Sequence, residues 1–410
     1  MRLMSSLTAD LAQPLSQATP AKAVPRKCAM PERHDHCVMH FIPSLGGGGA
    51  EAMLGNLVES IKSSPWRPII VVLDGQAWPE AVQRLQACGA EVHDLESSAF
   101  LRPWTLLRLI RLMRRIKPDV VQTWMHHADF VGGWCARLAG VHHVIWGVHC
   151  REIHRNPGEG DAKAALFRKL IAWSATCVPT RIVSCSAAAM EDHAKLGYPR
   201  RKLVWVPNGI DTKRFMPDAA DRLSMRREFR LPTEAPVVGF MGRFHEMKDL
   251  STWLRAAALL QARRPEVHFL LCGGGEFDLG DCARAALSVV PRRQQVHFAP
   301  FRADPENVYI ALDVFSLSSR TEACPMTLME ALSCGVRCVA TDVGDCARLL
   351  EGVGKVVPPR DPEALALAWE EMLFEKAPDR AALHKAAIER FDIAVAAGRY
   401  EAVYEEVTHG

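Results

Sequence analysis

The sequence predicts an α/β protein of two doubly wound parallel sheets, each flanked by helices, with a cleft between them. Three observations point there. Short apolar, β-branched runs alternate with amphipathic stretches along the chain, the signature of parallel strands joined by crossover helices. At 410 residues the chain is too long for one ordinary core and suits two of average size. The two halves also repeat one opening, a strand that enters a glycine-containing turn and then a helix, at 40–54 and again at 239–254.

Candidate strands in the first half cover 37–42, 69–73, 91–95, 119–123 and 144–148, with shorter ones at 182–185 and 203–206. In the second half they cover 237–241, 267–272, 296–299, 314–317, 336–340 and 355–357. Two sets of this size make two sheets rather than one very wide one. Pro207-Asn208-Gly209 marks a turn. It divides an N-terminal Rossmann-like domain at 36–206 from a C-terminal one at 207–385. Residues 386–410 read as a closing helical segment carrying Phe391, Tyr400 and Tyr404, expected to pack back on the first domain. Residues 1–35, rich in Ala, Pro, Ser and Gln, read as a disordered extension without an apolar core of signal-peptide length.

Composition excludes several classes. A formal charge of +3 does not suit a protein that coats nucleic acid, and 49% hydrophobic with 24% charged residues is ordinary for a globular chain. No stretch reaches the roughly 18 uninterrupted apolar residues of a membrane span. Thirteen cysteines are scattered and odd in number, and several, such as Cys185, Cys272 and Cys338, sit in apolar runs. Without a Cys-x-x-Cys pair they read as reduced thiols of a cytoplasmic protein, with no zinc site.

The strongest chemical signal is the run from Ser319 to Glu330, which follows an apolar strand and enters a helix ended by Gly335. Pro325 suits the first turn of that helix, where a missing N–H costs nothing. The free amides of Met326, Thr327 and Leu328 would then form an anion site at the helix tip. Glu322 and Glu330 bracket the turn eight residues apart, about 12 Å along the axis if every intervening residue were helical. One acid could then reach a sugar and the other a ribose, with a diphosphate between them. The alternative is a capped surface helix with ordinary exposed glutamates.

A second signal is Gly239-Phe240-Met241-Gly242-Arg243-Phe244-His245-Glu246-Met247-Lys248-Asp249. Gly242 lets the backbone turn tightly at a strand end. Arg243 and Lys248 then offer a forked and a compact cation, suited to neutralising a leaving diphosphate without a metal. A third is the loop Leu45-Gly46-Gly47-Gly48-Gly49-Ala50-Glu51, whose glycines permit close backbone approach to a ligand. It fails the dinucleotide fingerprint, as does Gly273-Gly274-Gly275, which counts against a nicotinamide-dependent oxidoreductase. His149 ends a strand at the carboxyl edge where α/β ligands bind; a ligand-facing role and a structural one both stand. His126, His127 and Asp129 cluster after another strand but lack a further metal ligand at suitable spacing.

In order and spacing these stretches resemble the family 4 glycosyltransferases of the GT-B type, retaining enzymes of polysaccharide, lipopolysaccharide and glycolipid synthesis. The resemblance covers roughly residues 37–390. It is carried by Glu322 and Glu330 with Ala331-Leu332-Ser333-Cys334-Gly335 behind them, by the Gly-Arg-Phe and Lys-Asp stretch, and by Pro43 to Glu51. Val206-Pro207-Asn208-Gly209-Ile210-Asp211 and Gln122 to Asp129 agree as well. The family implies a nucleotide-diphosphate sugar as co-substrate, no cofactor and no metal. It implies that Arg243 and Lys248 hold the donor diphosphate, Glu330 the ribose and Glu322 the transferred sugar. Gly242, Asn208, Cys324, Pro325 and the amides of Met326, Thr327 and Leu328 would complete the donor pocket. Gly47 and Gly48 would approach the phosphates from the other domain, and His149 would line the acceptor side of the reacting carbon. Ala323 departs from the family's usual glycine, and Cys324 is uncommon beside it.

The segment 105–117 carries seven apolar residues among Arg108, Arg111, Arg114, Arg115 and Lys117, with no acid. Its apolar side is expected to pack on its own sheet, and its charged side is a candidate for peripheral contact with an anionic membrane, where a lipid-linked or glycan acceptor would be met. A nucleotide-sugar epimerase or hydrolase, or a non-catalytic nucleotide-sugar-binding protein, would use the same scaffold.

Overall fold

Strands form where β-branched and aromatic residues run together, and helices on both faces then bury those runs completely. Ile69, Ile70, Val71 and Val72 are wholly inaccessible, as are Val237, Val238 and Phe240 in the second half. The computed structural model describes residues 36–75, 77–97, 102–151, 161–375 and 379–409. The extension expected over 1–35 lies outside the described residues.

The first lobe runs β1 (His36–Ile42), α1 (Gly49–Ser60), β2 (Trp66–Val72), α2 (Pro79–Ala87), β3 (Glu91–Asp94), α3 (Pro103–Ile116) and β4 (Val120–Thr123). It continues through α4 (His126–Ala139), β5 (His143–Val148), α5 (Asp161–Cys177), β6 (Arg181–Ser184), α6 (Ala187–Lys195) and β7 (Leu203–Trp205). The second lobe runs α7 (Ala219–Glu228), β8 (Val237–Met241), α8 (Leu250–Arg263), β9 (His268–Cys272), α9 (Asp281–Ser288), β10 (Val296–Ala299), α10 (Pro305–Ala311) and β11 (Val314–Leu317). Then come α11 (Met326–Ser333), β12 (Arg337–Thr341), α12 (Cys346–Leu350), β13 (Gly354–Val357) and α13 (Pro362–Phe374), followed by α14 (Arg380–Phe391) and α15 (Ile393–His409).

Among the described residues the first sheet has seven strands in the order β3-β2-β1-β4-β5-β6-β7, and the second has six in the order β10-β9-β8-β11-β12-β13. Every pairing is parallel. The chain reverses its direction of winding between β1 and β4 in one sheet and between β8 and β11 in the other. Ligands of open α/β sheets bind outside the carboxyl ends of such strands. The glycine loop after β1, the turn after β8 and the acidic run after β11 all start there.

Strand β2 begins at Trp66, three residues before the expected start, despite Pro68. Pairing with β3 begins only at Ile69, so Pro68 has a partner strand on one side alone and its missing N–H is tolerated. The last helix returns to the first lobe. Tyr404 donates its hydroxyl to Gln122 at 2.5 Å, and its ring lies 5.2 Å from that of Trp66. The Ile210 amide donates to the Phe391 carbonyl, and the Ile393 amide donates in return to the Ile210 carbonyl, both at 2.9 Å.

Glycine is needed where β8 and β9 end. Gly273 has φ +125, and a Cβ there would stand 2.2 Å from the Gly242 carbonyl oxygen. The Gly273-Gly274-Gly275 turn is thus a packing partner of the Gly242 turn. Gly273→Ala is expected to destabilise the protein by about 2 kcal/mol or more in chemical denaturation. An unchanged midpoint would contradict this packing.

Candidate active site

The acidic run after β11 is an extended turn that only then becomes helix. Residues 319–325 are not helical, and Pro325 is the N-cap of α11, with ψ 113, rather than a residue of its first turn. The premise of a continuous helical rise from Glu322 to Glu330 therefore fails. Proline disfavours helical conformation at the residue before it, here Cys324, so the helix starts no earlier than Pro325. The amides of Met326 and Thr327 open the helix, whereas the Leu328 N–H donates to the Pro325 carbonyl at 3.3 Å. The tip thus has two forward amides where three were expected.

Glu322 lies beside Lys248. The Lys248 Nζ stands 2.5 Å from Glu322 Oε1, which also accepts a hydrogen bond from the Ser319 hydroxyl at 2.7 Å. Both side chains are largely withdrawn from solvent. The pair therefore links the turn after β8 to the turn after β11 across the switch point. Gly242, with φ +148, starts the first of these turns. Arg243 is exposed and, among the described residues, unpaired. Asp249 adopts φ +46 and caps α8 through the Thr252 amide, while its carboxylate takes the Arg320 guanidinium at 3.2 Å. Arg320 and Asp249 lie within the motifs but carry no role in the sequence reading.

Glu330 points inward from the middle of α11. Its Oε2 accepts the Tyr309 hydroxyl at 2.7 Å. Burial raises its carboxyl to about 7, against the smaller lowering influence of the Tyr309 hydrogen bond and Arg214. Cys324 turns its thiol inward, where burial pushes it up to about 12, and its carbonyl accepts Asn208 Nδ2 at 2.9 Å. Asn208 Oδ1 is buried without a partner among the described residues, an orphan acceptor beside the acidic turn.

The first lobe contributes a wall and a loop. His149 stacks on Trp124, with ring centroids 4.6 Å apart and planes at 16°. Trp124 in turn donates its indole N–H to His40 Nδ1 at 3.2 Å. Burial lowers His149 to about 4, so its imidazole is neutral at neutral pH, and neither ring nitrogen has a partner among the described residues. Gly47 lies under Trp78: a Cβ there would meet the indole at 2.9 Å. Trp78 meets Phe301 of the second lobe edge-on, with centroids 5.3 Å apart, which joins the lobes over the glycine loop. A Cβ on Gly48 would run into the Glu51 side chain.

Residues 47–214 match the family model for Glycosyltransferase Family 4, and residues 235–374 that for Glycosyl transferases group 1. The chain belongs to the family 4 glycosyltransferases. It is 27% identical over 330 residues to EpsF of Bacillus subtilis (strain 168), covering 74% of this chain and 79% of that protein. It is 25% identical over 242 residues to UDP-Gal:alpha-D-GlcNAc-diphosphoundecaprenol alpha-1,3-galactosyltransferase of Escherichia coli, covering 58% of this chain and 62% of that one. The crystal structure of Anabaena HepE in complex with UDP-glucose superposes with a TM-score of 0.77 over 90% of this chain and 99% of that one. At 19% identity that likeness is one of fold, the GT-B arrangement of two Rossmann-like lobes.

Within this glycosyltransferase, His126, His127 and Asp129 make contacts inside the first lobe. The buried Asp129 carboxyl accepts the Thr123 hydroxyl at 2.6 Å and the Gly147 amide at 3.1 Å. His126 lies 3.2 Å from the Cys150 thiol, and His127 stacks on Phe167. Among the described residues no group of three or more His, Cys, Asp or Glu is placed to hold a metal ion. Tyr309, Trp78 and Phe301 join the site from outside every motif, and no local spacing could have announced them.

Glu330 gives a pH-dependent signature. Its folded value lies above that of an unfolded chain, so the native state keeps a proton the unfolded state has lost. Stability from this group is present below the unfolded value and is lost as pH rises towards 7. Glu330→Gln removes that loss. The stability gap between variant and parent is expected to widen by about 2–3 kcal/mol between pH 5 and pH 8 in denaturation. A gap that stays flat would contradict the raised value.

Proposed function

We propose that this glycosyltransferase moves a hexose or N-acetylhexosamine, with retention, from a nucleotide-diphosphate sugar to a glycan or lipid-linked acceptor in surface polysaccharide synthesis. The observation that carries the reading is the Lys248–Glu322 pair, set at the carboxyl ends of the switch-point strands beside the α11 tip. In this reading the diphosphate lies against Lys248, Arg243 and the Met326 and Thr327 amides. Lys248 then exchanges Glu322 for phosphate oxygen, which frees the carboxylate for the sugar hydroxyls. Glu330 takes the ribose, and Gly242, Asn208 and Cys324 shape the pocket around them. Gly47 and Gly48 face the phosphates from the opposite lobe.

The acceptor hydroxyl attacks the anomeric carbon on the face from which the nucleotide leaves. The bond from that carbon to the diphosphate oxygen breaks with its electron pair, and a departing phosphate oxygen takes the acceptor's proton. Charge that develops on the diphosphate is met by groups already in place, the largest usual contribution to such catalysis. The cations do this without a metal. Neutral His149 offers one donor or acceptor to the acceptor side of the sugar. The galactosyltransferase relative, whose name specifies a diphosphoundecaprenol-linked acceptor, supports the lipid-linked class.

Screening nucleotide sugars by thermal shift and following turnover by NMR tests this reading. An α-configured donor should yield an α-linked product, in the presence of chelator as well as in its absence. Lys248→Ala and Glu322→Ala should each lower kcat/KM by about 100-fold or more, the scale for loss of one preorganised charge contact. An inverted product, or free sugar and no transfer, would overturn it.

Contact with the inner face of an anionic membrane belongs to the same proposal. No helix among the described residues is long and apolar enough to cross a membrane. On α3, Leu109, Leu112 and Met113 are buried against the lobe, while Trp104 and Leu107 are 75% and 40% exposed. Arg108, Arg111 and Arg115 line a recess of about 340 Å³ with His93, Asp94 and Leu95. A cationic recess beside exposed apolar side chains suits phosphate headgroups. The double variant Arg111→Gln, Arg115→Gln should lose co-sedimentation with phosphatidylglycerol vesicles. Retention equal to the parent would remove membrane contact from the account.

A further inference from the structure

The N-terminus of α6 is capped twice, and the second cap comes from the other lobe. Ser186, from the same lobe, is its N-cap and accepts the Ala189 amide at 3.1 Å. The amides of Ala187 and Ala188 donate instead to the Asp345 carboxylate, at 2.8 and 3.0 Å, and the Ser186 hydroxyl donates to it at 3.0 Å. Asp345 is the N-cap residue of α12 in the second lobe and is 4% exposed. Helix N-terminal amides demand acceptors, and a carboxylate is the one their dipole favours most. Asp345 meets this demand only while the two lobes stand in this arrangement.

The same residue also holds the acidic turn. The Asp345 amide donates to the Ala323 carbonyl at 2.9 Å. Its neighbour Gly344, with φ +60, lies so close to the turn that a Cβ would stand 2.1 Å from the Glu322 carbonyl oxygen. One residue therefore grips the first lobe with its side chain and the Glu322 turn with its backbone.

We propose that Asp345 is a positioning residue which couples approach of the lobes to placement of Glu322. The proposal rests on the reading of this cleft as the donor site. When the lobes separate, the carboxylate leaves α6, and the Gly344–Asp345 segment that braces the Glu322 turn loses its anchor. When they meet, the three donors of 186–188 fix that segment and with it the turn.

Hydrogen exchange on the full chain, without nucleotide, tests the coupling independently of what the cleft binds. Asp345→Ala should raise exchange in peptides covering 186–190 and also in those covering 320–328. Among the described residues the Ser186 side chain makes no hydrogen bond to the acidic turn, yet Ser186→Ala should raise exchange there as well, to a smaller degree. Peptides around Trp253 and Trp369, whose rings pack on each other within the second lobe, should keep parental protection. Change confined to 186–190 in both variants would overturn the coupling. Loss of protection throughout would make Asp345 merely structural and overturn it equally. If nucleotide binding fails while the coupled exchange persists, the donor reading falls and the coupling stands.

Discussion

The Lys248–Glu322 ion pair is the contact that ties together the two turns at the carboxyl ends of β8 and β11. A cation and an acid at 2.5 Å, both mostly shielded from water, attract strongly but pay for their desolvation. Such a pair persists where the fold presents both side chains without further adjustment. Here it does so through two turns at adjacent strand ends, one begun by Gly242 and the other closed by Pro325. The Asp249–Arg320 pair ties the same turns a second time. The two charges are therefore held in place by the fold itself.

The first lobe supplies the complementary surface by different means. Its contribution is backbone and aromatic rather than charged: the glycine loop under Trp78, and the His149 ring held flat on Trp124. Desolvation keeps His149 neutral, so positive charge in the cleft comes from the second lobe alone among these groups. The linker through Asn208 and the return of α15 onto α1 and Gln122 join the lobes along one side. Across the cleft they meet through side-chain contacts, the Trp78–Phe301 edge and the Asp345 cap.

Much of this was legible in the sequence because parallel strands buried on both faces must be continuous apolar runs. That constraint places β8, β10 and β11 at their expected residues. It blurs where another rule intervenes, as at Pro68, where proline suggests a strand end but the neighbouring strand begins one residue later. The strand-to-helix turns at Gly242 and before Pro325 were legible for a similar reason, since glycine and proline punctuate such turns. What escaped were pairings between distant residues. Nothing periodic connects Glu330 with Tyr309, Asp249 with Arg320, or Asp345 with α6, because side-chain pairing across a fold leaves no trace in spacing. The helical rise from Glu322 to Glu330 failed for a local reason, since proline disfavours helix at the residue before it and α11 begins only after Pro325.

A crystal structure of the protein bound to the nucleoside diphosphate of whichever donor the thermal-shift screen selects is the most direct measurement of the central claim. The account predicts a diphosphate held by Arg243, Lys248 and the Met326 and Thr327 amides, a ribose on Glu330, and Lys248 drawn off Glu322. A nucleotide seated elsewhere, with the Lys248–Glu322 pair undisturbed, would contradict it.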